Sequence, residues 1–198
     1  MMKAAGLVFC LGLMIPALAE AADFSDPEWP CIQRKVETLS AGLMWPHPLT
    51  GAALSPAAQD LVEVLSLRRV SLDAAAEQVA AFATAEPPDG QVLGAIFLGV
   101  FDKLNADRQR LIGGIARYAR SQTALAAEVD RARTEMAAQE AAATPDFDRI
   151  DRLEEQIAWD ERIYHDRARS LTYVCETPVL LEKRAYAIAQ ILLKHVPQ

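Results

Sequence analysis

"LNADRQRLIGGIARYARSQTALAAEVDRARTEM", residues 104–136, decides the fold. Leu104, Leu111, Ile115, Tyr118, Leu125, Val129, Ala132 and Met136 recur at alternating four- and three-residue spacings, with Arg108 and Gln122 in the remaining places of the register. A repeat near 3.5 residues keeps one apolar stripe on one side of a helix, so the pattern predicts a long helix packed along a single partner. The partner follows directly. In "AAATPDFDRI", Thr144 suits an N-cap and Pro145 a first helical position, and a second stripe carries Ile150, Leu153, Ile157, Tyr164, Leu171 and Val174. Two long helices joined by so short a turn run antiparallel. Residues 105–175 therefore read as a coiled-coil-like hairpin with its tip at 143–146.

Polar residues interrupt both stripes, at Gln122 in the first helix and at Asp160 and Arg167 in the second. Folding about Thr144 sets Gln122 opposite Arg167, a polar layer of the kind that fixes register at some cost in stability. Gly113 and Gly114 weaken the first helix by about 1 kcal/mol each relative to alanine, and leave room for a bend or a close approach.

Outside the hairpin, residues 55–104 read as a small helical body. Ser55 and Pro56 open one helix, Ser71 opens another that ends before Pro87, and "QVLGAIFLGVFDKL" is apolar around much of its circumference, as expected of a buried central helix. At the far end, "CETPVLLEKRAYAIAQILLKH" places Thr177 and Pro178 where a new helix would start. Residues 176–198 are then expected to pack Val179, Leu180, Tyr186, Ile188, Ile191 and Leu192 against the body. The overall expectation is an all-α chain with a proline-rich N-terminal strap at 22–54.

The first 21 residues, "MMKAAGLVFCLGLMIPALAEA", have the three-part layout of a secretory signal peptide: a basic start at Lys3, an apolar run, and small residues that allow cleavage after Ala19 or Ala21. The run is shorter than the roughly 20 apolar residues of a spanning helix and contains Pro16, so no membrane span is expected after cleavage. Loss of residues 1–19 removes Lys3 alone among the charges, moving the formal charge from −7 to −8. So acidic a chain does not steer toward phosphate backbones, and the arginines of the hairpin are interspersed with acids, which excludes a basic nucleic-acid patch.

Export also governs the cysteines. Cys10 leaves with the signal, and Cys31 and Cys175 remain as an even pair without CxxC, CxxCH or zinc spacing. They are expected to form a structural disulfide that pins the strap "DPEWPCIQRKVETLS" to the hairpin base.

Motifs for catalysis are missing: there is no GxSxG, P-loop, GxGxxG, HExxH or EF-hand loop. Glu161 and His165 in "ERIYH" share a helical face, but a di-iron bundle needs paired ExxH motifs, so a surface contact is expected. Met44 and His47 in "MWPHP" belong to an aromatic and proline loop. No cofactor or metal is expected. Large apolar residues beyond the needs of the stripes are Trp159 and Ile163, four apart on their own face, together with Trp29 and Trp45. These four are the candidate partner-binding residues, the other reading being core packing for Trp29 and Trp45 and burial against the body for Trp159 and Ile163. The reading is a bacterial periplasmic or secreted protein that binds or scaffolds another protein or a second copy of itself, without catalysis. A periplasmic chaperone or assembly factor is the alternative. A metal carrier or enzyme using Glu161, His165 and the tyrosines has the weakest residue support.

Overall fold

A computed structural model describes residues 26–197, and the expected signal peptide and its cleavage points lie outside that range. After a 3-10 turn at Ala41–Leu43 come four helices: α1 (Pro56–Ser66), α2 (Leu72–Ala85), α3 (Gly90–Glu140) and α4 (Phe147–Leu193). At 1.5 Å per residue α3 is about 75 Å long and α4 about 70 Å. The chain is all-α, and its two long helices pack antiparallel along one another.

Each helix start is a side-chain cap. Ser55 accepts from the N–H of Ala58, Ser71 from Ala74 and Asp89 from Val92, each satisfying an N–H that has no partner inside the helix. At the hairpin tip the cap is Asp146, not Thr144: its carboxylate accepts from the N–H of Arg149 at 3.0 Å, and the helix begins at Phe147. Asp caps as well as Thr. Here it is the residue with extended backbone, and it combines with Asp148 to put negative charge at the positive end of the helix.

The divisions expected at 104/105 and 175/176 are not helix ends. α3 runs unbroken from body to arm, and α4 returns from arm to body with Pro178 inside it. Thr177 therefore caps nothing; its hydroxyl donates to the carbonyl of Tyr173, one turn back. An internal proline removes one helical hydrogen bond and costs about 3 kcal/mol in an exposed helix. Burial of Pro178, Leu181 and Cys175 on the same stretch offsets that cost. Because the helix is continuous, its phase in the body is inherited from the hairpin. Leu181, Ala185, Ile188, Ala189, Ile191 and Leu192 are buried, whereas Leu180 and Tyr186, expected on that face, are exposed.

The main core lies where α1, α2, the first four turns of α3 and the end of α4 meet, around Leu65, Val79, Leu93, Ile96, Phe97, Val100, Leu104, Ile188 and Leu192. Gly99 lets α1 approach: a Cβ there would lie 3.1 Å from a Val62 methyl. Gly113 and Gly114 serve no such purpose, since an added Cβ would meet nothing closer than the Arg117 side chain at 3.5 Å and 3.9 Å. Gly114→Ala is accordingly expected to raise the unfolding free energy by about 1 kcal/mol in denaturant melts, and Gly99→Ala to give no such gain; equal gains at both would refute this reading.

Along the arm, pairing follows the expected register. Arg149 bonds Glu135 at 2.6 Å, Arg133 pairs with Glu161, and Val129, Ala132, Leu153 and Ile157 form a small distal core. The Gln122 layer differs in its partner. Gln122 donates to the backbone carbonyl of Tyr164 at 3.1 Å, while Arg167 is exposed. Burial pushes the Tyr118 phenol up, and the charge of Arg167 opposes that shift. A long, flexible cation reaches solvent more cheaply than it enters a seam, so the shorter Gln forms the layer by itself.

Candidate interaction surfaces

The strap meets the hairpin at a covalent junction. Cys31 and Cys175 are bridged across 144 residues with Cα atoms 5.5 Å apart, and they pack with Trp29 and Ile115 in a small buried cluster. The Trp29 indole N–H donates to the Gln33 carbonyl at 2.6 Å, which closes the strap on itself around the bridge. Outside the cluster, Glu28 pairs with Arg120 at 2.7 Å, and Lys35 donates to Asp26 at 2.9 Å. That hydrogen bond, with a second from the Glu28 N–H, holds the Asp26 carboxyl below its ordinary range.

Farther along, the strap is carried by Arg108, the seam residue of α3. Its guanidinium donates to the carbonyls of Val36 and Glu37 and is only 2% exposed. Burial pulls its pKa down, and the nearby Glu182 charge opposes this. Removing a strap carbonyl from water is tolerable only with a donor in place, and Arg108 supplies several from one side chain. The strap then ends in the body. Trp45 stacks on Phe97 with ring centroids 5.3 Å apart, and Gly94 leaves the space, as a Cβ there would lie 3.3 Å from the indole nitrogen.

Trp29 and Trp45 are thus not a partner-binding patch. They are 4% and 2% exposed, because a strap held at only a few points uses its largest apolar side chains as anchors. Trp159 and Ile163 are placed differently. Trp159 lies on the outer flank of α4 at 57% exposure with the Arg162 guanidinium 5.0 Å from its ring centre, and Ile163 beside it is half-buried. Nothing from the body folds over them. The four candidate residues therefore separate into two core anchors and one exposed pair on the arm.

Glu161 and His165 flank a shallow depression of about 240 Å³ between the arms of the hairpin. Glu161 is engaged by Arg133, and the His165 ring stands edge-on to Tyr164 at 5.8 Å. Among the described residues no group of three His, Cys, Asp or Glu side chains is placed to hold a metal ion. No helix among them is long and apolar enough to cross a membrane.

Sequence reasoning missed a groove of about 520 Å³ between the strap and α4, walled by Val36, Leu39, Leu43, Met44, Glu182 and Tyr186. Leu43 stands 87% exposed at its rim. The one sequence signal was Arg108, a charge at a stripe position, which implied that something polar crosses α3 there; nothing in the sequence says that it is the strap.

These elements define an all-α protein in which a long helical hairpin is stapled by a disulfide to a small helical body. No protein-family model, curated protein or solved structure matches the chain.

Proposed function

We propose that the protein is an exported, non-catalytic binding or scaffolding protein whose hairpin is the working arm. The observation that carries this reading is Trp159, more than half exposed midway along the arm, beside the half-buried Ile163 and a rim of charge. Tryptophan and arginine stacked together on an exposed face are the residue types that dominate binding energies. The signal-like layout of residues 1–21 and the bridged cysteine pair support export to an oxidising compartment.

The exposed groove at Leu43 and Tyr186 supports a second reading, a chaperone or assembly factor that holds apolar client segments against the body. One experiment separates the two. Trp159→Ala combined with Ile163→Ser is compared with Leu43→Ser combined with Tyr186→Ser, measuring association, suppression of client aggregation and thermal stability. Loss of association in the first variant, with stability lowered by no more than about 1 kcal/mol because Trp159 is exposed and Ile163 only half-buried, is the expected result. Loss only in the second moves the function to the groove. A stability loss of several kcal/mol from the first would show that the pair belongs to the core.

A further inference from the structure

We propose that the partner of the arm is a second copy of this chain, docked antiparallel on the outer face of α4 about a two-fold axis at Trp159. This deepens the binding-arm reading and rests on it. The seam side of α4 is occupied by α3, and among the described residues the opposite face is left uncovered. On that face Arg152, Trp159, Asp166 and Tyr173 recur every seven residues, and all four are exposed.

The charges on the face are antisymmetric about Trp159. Arg152 lies seven residues before it and Asp166 seven after; Glu155 lies four before and Arg162 three after; Asp148 lies eleven before and Arg169 ten after. Each pair joins opposite signs at nearly equal distances, and all six side chains are exposed. Asp151 adds a further acid on the side of Asp148. Two copies running antiparallel therefore meet with every one of these pairs matched, twice over by symmetry. Two copies running parallel in register would set like on like. Charge patterning of this kind fixes orientation and excludes wrong pairings more than it adds affinity. The apolar centre comes from the two indoles, each covered on one side by its own Arg162.

The length of the arm agrees with the same axis. Trp159 lies thirteen residues after the cap Asp146 and thirteen before Thr172. The pairing consequently brings the tip of each hairpin level with the base of the other, where Tyr173 and Val174 are exposed, and stops it short of Pro178, where the body begins. The exposed Phe147 at the tip comes to the same level. The bodies lie at opposite ends and do not collide. A two-fold contact of this type is self-complementary and closes at two copies.

The test is sedimentation of the intact protein with Arg152→Asp and Asp166→Arg, alone and mixed. Both sites are exposed, so the variants are expected to keep the wild-type circular dichroism. Wild type is expected to dimerise, and each single variant, which sets like charges opposite one another twice, to self-associate at least about tenfold more weakly. An equimolar mixture of the two variants restores opposite charges at both ends and is expected to form a heterodimer. Single variants that dimerise like wild type, or a mixture that stays monomeric, overturn the proposal. A wild type that is monomeric at every concentration also overturns it. In that case the binding-arm reading is judged separately, by whether Trp159→Ala with Ile163→Ser loses a different partner.

Discussion

Cys175→Ala lowers the unfolding free energy by about 2–5 kcal/mol, the usual loss for a native disulfide. The bridge closes a span of 144 residues, so its removal frees most of the described chain in the unfolded state. Loop entropy puts the ceiling near 5 kcal/mol. Both sulfurs are buried with Trp29 and Ile115, and the contacts that remain, Arg108 on the strap carbonyls and Trp45 in the core, still hold the strap in place. Far-ultraviolet circular dichroism is therefore expected to change little. The denaturant midpoint falls, and the slope of the transition steepens because an unlinked unfolded chain exposes more surface. An unchanged midpoint under oxidising conditions would mean that the bridge contributes nothing to the fold.

Phe97→Ala lowers stability by about 3–5 kcal/mol, the range for truncating a fully buried aromatic side chain. The ring is closed in by Trp45 at 5.3 Å and by Phe101 at 6.0 Å, among side chains of α1, α3, α4 and the strap. These walls are fixed by separate elements, so they cannot collapse together into the space left behind. The substitution also strips Trp45 of its stacking partner, so the near-ultraviolet signal is expected to weaken along with the melting temperature. Phe97→Leu keeps most of the volume and is expected to cost less than about 1.5 kcal/mol. Equal losses from both substitutions would argue that the ring stack, and not the filled volume, is what the core requires.

Much of the architecture was legible in the chain because it depends on local pattern. The stripe through Leu104, Ile115, Val129 and Ala132 and its counterpart through Leu153 and Ile157 specified two long helices, and the short turn between them specified antiparallel pairing. Ser55 and Ser71 marked helix starts because their caps act within three residues. The pairing of Cys31 with Cys175 followed from counting once Cys10 was assigned to the signal.

What the sequence misplaced depends on energies summed over distant residues. Thr177 and Pro178 carry a local signal for a helix start, but burial of Cys175, Pro178 and Leu181 against other elements outweighs one lost hydrogen bond, and α4 runs through. That continuity turned Leu180 and Tyr186 outward and Leu181 and Ala185 inward. Trp29, Trp45 and Trp159 are the same residue type, yet two are buried anchors and one is more than half exposed. Local pattern carries the period of a helix and many of its caps, so the sequence by itself determined the two stripes of the hairpin, their antiparallel pairing and the cysteine partners. Which face of a helix is covered depends on what arrives from elsewhere: only the tertiary structure decided that the strap crosses Arg108 and buries two tryptophans, and that among the described residues nothing crosses α4 at Trp159.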